Sequence, residues 1–140
     1  MKGSIPAILA VCALSLAAGS ATGQAQWSPA PPSNLKVFPR TTTVRELMPA
    51  MKGFTQGLGV RCQHCHVYKG ENPDDLNAFD FASDEKPAKL TARSMMKLVA
   101  AINDDLLKGI GEAPVAGEPK VTCYTCHRGD RHPLARRPPA

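Results

Sequence analysis

Apolar residues recur at helical spacing in two stretches of the chain, and the first stretch predicts a helix that opens near residue 43. Thr43 and Glu46 have the spacing of a capping box at its start. The apolar positions that follow are Val44, Leu47, Met48, Met51, Phe54 and Leu58. Gly57 and Gly59 are expected to end this helix. A proline past the first turn removes a hydrogen bond, so the helix either bends at Pro49 or begins there.

The second stretch predicts a helix from about Glu85 to Lys108. Its apolar stripe consists of Ala88, Ala92, Met95, Val99, Ile102 and Leu106. Pro87 is tolerated in a first turn, and Gly109 suits the C-terminal cap. Residues 69–84 and 109–119 are rich in turn residues and are expected to be loops. The predicted fold class is all-α, with two main helices, two short helical turns and long loops.

The N-terminus has the pattern of a secretory signal peptide. A short basic start, M-K-G, precedes an apolar run from Ile5 to Ala18 and then small residues. The run is shorter than the roughly 20 apolar residues of a spanning helix, although a retained anchor is the alternative. We predict a signal peptide at 1–25, a flexible proline-rich linker at 26–36, one domain at 37–132 and a disordered tail at 133–140. The mature chain would then carry no stable membrane anchor.

Signal cleavage removes one of the five cysteines, Cys12. The four that remain form two C-x-x-C pairs, Cys62 with Cys65 and Cys123 with Cys126. A histidine follows each pair directly, at His66 and His127. C-x-x-C-H is the motif of covalent c-type haem attachment. Cysteines three apart lie on one face of a helical turn, where both can bond one porphyrin edge, and the next residue supplies the proximal imidazole to the iron.

Two other readings of the cysteines account for less of the pattern. A zinc ribbon usually has about 15 to 20 residues between its pairs, and here about 57 residues lie between them. A two-disulfide scaffold does not explain why a histidine follows both pairs. The sequence therefore predicts two covalently bound haem c groups, with His64 left over as a surface histidine or a neighbour of the site.

Each haem iron needs a sixth ligand, and methionine is a common one where the function is electron transfer. Met51 lies on the apolar stripe of the first helix, and Met95 lies near the centre of the second stripe. Met96 points about a quarter turn away from it. Methionines on an apolar face are more often core residues, but two irons in need of partners favour Met51 and Met95 as distal ligands.

Three segments resemble the cytochrome c subunit of photosynthetic reaction centres. They are M-K-G-F-T-Q-G-L-G-V-R-C-Q-H-C-H, D-F-A-S-D-E-K-P-A-K-L-T-A-R-S-M-M-K-L-V-A-A-I-N and V-T-C-Y-T-C-H-R-G. The resemblance covers roughly Phe38 to Arg128 and only the C-terminal half of that four-haem family. It implies a small multihaem cytochrome c fold and an axial methionine at Met51. In some members the second haem of this half takes a histidine from the other half, which is missing here. Candidates for that ligand are Met95 first, then Met96, His132 or His64.

The resemblance implies an exported bacterial dihaem cytochrome, expected in the periplasm, that carries single electrons between redox proteins. The alternative is a dihaem enzyme of the peroxidase type with one open haem site, but nothing in the sequence resembles a peroxide-activating pocket, so we expect no enzymatic activity. The formal net charge of +5 falls to +4 when Lys2 leaves with the signal peptide, and four ionised haem propionates would cancel it. The basic residues are scattered, which does not favour nucleic-acid binding.

Overall fold

The computed structural model describes residues 27, 29–112, 115 and 117–135. The expected signal peptide and the last five residues of the expected tail lie outside the described residues. Within them, the helices are α1 (Val44–Leu58), α2 (Pro87–Ala101) and α3 (Cys123–His127). No helix in this part of the chain combines the length and the apolar character needed to span a membrane.

The first helix, α1, begins as predicted. The side chain of Thr43 accepts from the Glu46 amide at 3.3 Å, and the Thr43 amide donates to the Glu46 carboxylate at 2.7 Å. The helix continues through Pro49, so it does not begin there. It ends at Gly59, whose φ of 64° is the left-handed conformation typical of a glycine cap. The prediction that Gly57 also ends the helix is wrong, because Gly57 lies inside α1 and is buried.

The second helix, α2, carries Pro87 in its first turn, as predicted, and changes its hydrogen bonding before the predicted end. A π-helical turn, Ile102–Leu106, follows α2 directly. Gly109 then has a φ of 74°, which suits its predicted place after the helix. Such π-helical turns are rare and often mark positions where a side chain makes a specific contact. Asn103 lies in this turn.

The chain is mostly helical, but the all-α prediction is inexact. Residues 67–68 form the strand β1 (Val67–Tyr68), which pairs antiparallel with β2 (Phe79–Asp80). This pairing lies partly within the segment expected to be an irregular loop. Its physical basis is the residue types, because β-branched and aromatic side chains favour paired strands. The Tyr68 and Phe79 rings lie 4.7 Å apart across the pair.

Little apolar side-chain surface is buried by the polypeptide itself. Among the described residues, Leu47 and Phe79 are the buried apolar side chains, and none of the large side chains is fully buried. Ten large apolar side chains stay exposed: Met48, Phe81, Leu90, Met95, Leu98, Leu106, Ile110, Val115, Tyr124 and Leu134. A domain of this size is marginal on its own apolar burial, so specific polar contacts must hold much of the fold in place.

The strongest of these polar contacts centres on Lys89, which is only 8% exposed. Its Nζ donates to the carbonyl oxygens of Phe81 (2.9 Å), Ala82 (3.1 Å) and Ser83 (2.6 Å). It also lies 3.2 Å from the carboxylate of Asp84. An ammonium has three donors and no acceptor, so these carbonyls satisfy it. Lys89 therefore fixes residues 81–84 against the first turn of α2.

A second cation, Arg93, also pairs with Asp84. The Arg93 guanidinium lies 2.9 Å from the Asp84 carboxylate and donates to the Asn34 carbonyl at 3.1 Å. Asn34 in turn donates from its side chain to the Ala82 carbonyl at 2.7 Å. The hydrogen bond from Arg93, followed by those from Asn34 and Lys89, holds the pKa of Asp84 well below its usual range. Part of the predicted linker is thus bonded to the domain.

We expect Lys89→Met to destabilise the protein by about 2–4 kcal/mol, because it removes the donor to the Phe81 and Ser83 carbonyls, leaves the Ala82 carbonyl with Asn34 alone and weakens the pairing of Asp84. The measurement is denaturant unfolding of the mature protein. Lys97→Met is the control, since Lys97 is exposed on the same helix. Equal unfolding midpoints for the two variants would contradict the role assigned to Lys89.

Candidate haem-attachment sites

The first cysteine motif lies in a helical turn directly after α1. Cys62–His64 form a 3₁₀ turn, and the amides of Cys65 and His66 both donate to the Cys62 carbonyl, at 3.2 Å and 3.0 Å. This turn brings both cysteines and the following histidine into one compact loop, as their spacing predicts. His64, the leftover histidine, lies in the same turn and is half-buried.

The second motif forms α3, a short helix that begins after Thr122 and carries Thr125 within its first turn. The Thr122 amide donates to the Thr125 hydroxyl at 3.0 Å, and the two residues form a capping box. The turn ends at Arg128, whose φ of 51° is left-handed. Cys123 is half-buried here, whereas Cys126 is exposed. The second motif is therefore helical like the first but more open to solvent.

The four cysteines are free thiols in the structure. Burial is the main cause that raises the pKa of Cys65 and of Cys123 above that of an ordinary thiol. A zinc ribbon would need thiolates gathered at one centre. Within the described residues, no group of three or more His, Cys, Asp or Glu side chains is close enough to hold a metal ion. The cysteines are thus presented as two separate pairs rather than gathered at one centre.

The proximal candidate His66 lies in an apolar setting. Its ring meets the Phe81 ring edge-on, with the centroids 5.1 Å apart, and Phe81 stacks on Phe79 at 5.2 Å. Its Nδ1 is buried without a hydrogen-bond partner among the described residues. Burial, and then the positive charges of Lys89, Arg93 and Lys86, lower the pKa of His66 to about 4, against a smaller opposing effect of the Phe81 backbone. The imidazole is therefore neutral at physiological pH, as an iron ligand must be.

The other proximal candidate, His127, is oriented by the backbone. Its Nδ1 lies 2.9 Å from the carbonyl oxygen of Asp130. Because a carbonyl only accepts, Nδ1 carries the proton and donates, which leaves the lone pair on Nε2. A hydrogen bond of this kind fixes the tautomer and the ring orientation of a metal-ligating histidine. The donor sets of both motifs fit a covalently attached haem.

The predicted distal ligands lie on the two main helices. Met51 is half-buried on the face of α1 that carries Leu47, and Met95 is 43% exposed on α2. Met96 is half-buried on the other side of α2, on the face shared with Lys89 and Arg93. The last alternative ligand, His132, is exposed beyond α3, where its amide donates to the Asp130 carboxylate.

The sequence prediction missed the residues that hold the second motif. Asn103, in the π-helical turn, donates to the Val121 carbonyl at 2.8 Å and accepts from the Val121 amide at 2.9 Å. It thereby pairs with the backbone two residues before Cys123. Lys120 donates to the carbonyls of Leu107 and Ile110 at 2.9 Å and 2.6 Å. The only sequence signal for this contact was an asparagine on the apolar face of a predicted helix.

Both motifs meet at the C-terminal end of α1. The first motif follows that end directly, and α3 packs against the last turn of α1. The Gly129 amide donates to the Gly57 carbonyl at 2.9 Å. The structure thus brings Cys62, Cys65, Cys123 and Cys126 to one end of one helix, although 57 residues separate the two pairs in the sequence.

Comparisons with known proteins point to one family of cytochromes. The model of a family described as the photosynthetic reaction centre cytochrome C subunit matches residues 34–136. Cytochrome c-554 of Chloroflexus aurantiacus is 32% identical over 102 residues, which cover 66% of this chain and 22% of that protein. The photosynthetic reaction center cytochrome c subunit of Thermochromatium tepidum is 40% identical over 72 residues, 51% of this chain and 14% of that protein.

A further relative is the photosynthetic reaction center cytochrome c subunit of Rubrivivax gelatinosus, 26% identical over 91 residues, 60% of this chain and 23% of that protein. The matched regions amount to less than a quarter of the length of each of these relatives. All three carry the name of a cytochrome, and none carries the name of an enzyme. No solved structure matches the chain significantly. The resemblance found in the sequence is thereby confirmed.

We predict that Asn103→Ala loosens the segment before the second motif, because the Val121 backbone loses both its donor and its acceptor. Hydrogen exchange at the Val121 amide should become at least about tenfold faster, which corresponds to about 1.4 kcal/mol. Exchange in the first motif should stay unchanged. Asn77→Ala is the control, since the Asn77 amide bonds the nearby Asp75. Unchanged exchange at Val121 would show that Asn103 does not hold this segment.

Proposed function

The chain belongs to the photosynthetic reaction centre cytochrome c subunit family, and we propose that it is an exported dihaem c-type cytochrome that carries single electrons between other redox proteins. The observation that carries this proposal is the pair of helical C-x-x-C-H turns at one end of α1. Each turn offers two free thiols and a neutral or correctly oriented imidazole. This is the donor set that covalent haem needs, and it is present twice.

The protein residues have distinct roles in this proposal. The thiols of Cys62, Cys65, Cys123 and Cys126 would hold the haems by adding across their vinyl groups, with sulfur bonding one carbon and hydrogen going to the other. His66 and His127 would each supply a nitrogen ligand to an iron. Haem, when bound, supplies the one-electron exchange at iron. The rings of Phe79 and Phe81 limit the access of water to His66, whereas His127 is held by the Asp130 carbonyl on a more exposed turn.

The exposed apolar surface of α2 supports a haem in contact with this helix. Lys89 is buried, and Arg93 and Met96 on the same face of α2 are half-buried. On the apolar stripe, Met95 and Leu106 stay exposed while the other four members are half-buried. Exposed apolar side chains are costly in water, and a porphyrin face would remove these two from water. This favours Met95 over Met96 as the sixth ligand of the second haem. For the first haem we propose Met51 as the sixth ligand. It is half-buried and lies eleven residues before Cys62.

The enzyme alternative, a dihaem peroxidase, needs an iron with an open or displaceable sixth position. With methionine at both irons, neither position would be open to peroxide. The names of the relatives are those of cytochromes, which favours the carrier.

We propose a periplasmic location and redox proteins as partners, with no role for nucleic acid. After signal cleavage the chain has 16 basic and 12 acidic side chains, which four propionates would nearly balance.

The first test is the haem count. Protein made with its signal peptide, in cells that attach haem outside the cytoplasm, should carry two haems that survive denaturation and acid extraction. Intact mass and the haemochrome spectrum measure them. Replacing both Cys62 and Cys65 with alanine should remove one haem, and replacing Cys123 and Cys126 should remove the other. Zinc without iron in the purified protein would overturn the proposal.

The second test separates carrier from enzyme. Met51→Ala should make the first ferric haem high-spin or let it recruit a histidine, and its potential should fall because the thioether is lost. Ligation tunes haem potentials over about 0.8 V, so redox titration with electron paramagnetic resonance can measure the shift. Met95→Ala should do the same to the second haem, with Met96→Ala as the control that affects packing alone. A wild-type protein with a high-spin ferric haem that turns over peroxide would favour the enzyme.

A further inference from the structure

The contact between the last turn of α1 and the second attachment turn depends on two glycines. A Cβ added at Gly57 would lie 3.1 Å from the Cβ of Cys123 and 3.1 Å from the amide nitrogen of Tyr124. Those distances are shorter than ordinary carbon contacts, so α3 would have to move by a few tenths of an ångström. Because one of the two atoms belongs to the α3 backbone, a side-chain rotation alone cannot relieve the contact. The absence of a side chain at Gly57 is what lets Cys123 approach α1.

The second glycine, Gly59, meets the chain on the other side of the same turn. A Cβ at Gly59 would overlap the carbonyl oxygen of Gly129. Gly59 also has a φ of 64°, which is unfavourable for other residues. Gly129, with a φ of 85°, turns its amide toward α1 and donates to the Gly57 carbonyl at 2.9 Å. We call Gly57, Gly59 and Gly129 the glycine junction.

The glycine junction is linked to the proximal histidine of the second motif. Asp130 directly follows Gly129 in the chain, and its carbonyl accepts from Nδ1 of His127 at 2.9 Å. Its amide donates to the His127 carbonyl at 2.9 Å. A displacement of Gly129 therefore moves the group that fixes the orientation of the His127 ring. On the other side of the junction, Cys62 follows Gly59 by three residues.

We propose that the glycine junction sets the position of the second haem relative to the first, and that Gly57 and Gly59 are positioning residues for electron exchange between them. This inference rests on the proposed function, since it requires a haem on each motif. One haem is attached just beyond Gly59, and the other is attached to the turn that contacts Gly57. Among the described glycines, Gly57 and Gly59 are the two at which an added Cβ would meet residues 123–130.

The chain offers a matched set of alanine variants. Gly57→Ala introduces a mild clash with Cys123, and Gly59→Ala introduces a severe one with Gly129. Gly53→Ala is the control, because a Cβ at Gly53 in the same helix meets nothing within 4 Å. Haem count by mass is measured first on all four proteins. A wild type without two haems would refute the proposed function. If the wild type carries two haems, the present inference is judged on the variants.

The readout is the interaction between the haems rather than stability. In Gly57→Ala we expect the ferric electron paramagnetic resonance signal of the second haem and its midpoint potential to shift, and the magnetic interaction between the two irons to change. Gly59→Ala should show a larger change, or loss of defined signals from the second haem. Gly53→Ala should match the wild type in all of these. A Gly57→Ala protein that carries two haems and is identical to Gly53→Ala, or that fails to mature, would overturn the inference.

Discussion

The thin apolar packing within the polypeptide itself is the constraint on which the rest of this structure depends. Leu47 and Phe79 are the buried apolar side chains of the described residues, so contacts among the helices alone hold them weakly, and haem on the cysteine motifs would add apolar contact. The positions of the loops and turns are further fixed by hydrogen bonds between their backbone groups and residues outside those segments. Each such bond contributes modestly on its own, so several are needed.

In each of these polar contacts, backbone groups of a loop or turn bond a residue outside that segment. Lys89 bonds three successive carbonyls, Asn103 bonds both backbone groups of Val121, and the Gly57 carbonyl accepts from Gly129. Lys89 fixes the loop whose Phe81 ring meets His66, and Asn103 and the glycine junction fix the turn that ends at His127. The contacts that fix these loops and turns are therefore also the ones that position the two candidate proximal histidines, so that stability and the geometry of the cysteine motifs rest on the same residues.

The parts of the fold that could be predicted from sequence are those with local causes. The capping box at Thr43 and Glu46, the proline at the start of α2 and the helical cysteine motifs all follow from residues within one or two turns of each other. The pairing of Tyr68 with Phe79, the burial of Lys89 and the contact of Gly57 with Cys123 depend on partners at least five residues away, to which no periodic pattern points. Gly57 illustrates the limit, because a glycine near a helix end is read as a terminator, whereas here it makes room for another helix.

The same reasoning explains why the identity of the cofactor could be inferred while its exact surroundings could not. Attachment requires a thiol, a second thiol and an imidazole within five residues, and that pattern is complete in the sequence at Cys62 and again at Cys123. A sixth ligand would have to come from outside the five-residue motif, so it depends on how another element faces that motif. On α2, Lys89 is buried and Met96 is half-buried, whereas Met95 is exposed. This difference in exposure between two adjacent methionines is a property of the folded chain, and no sequence pattern contains it.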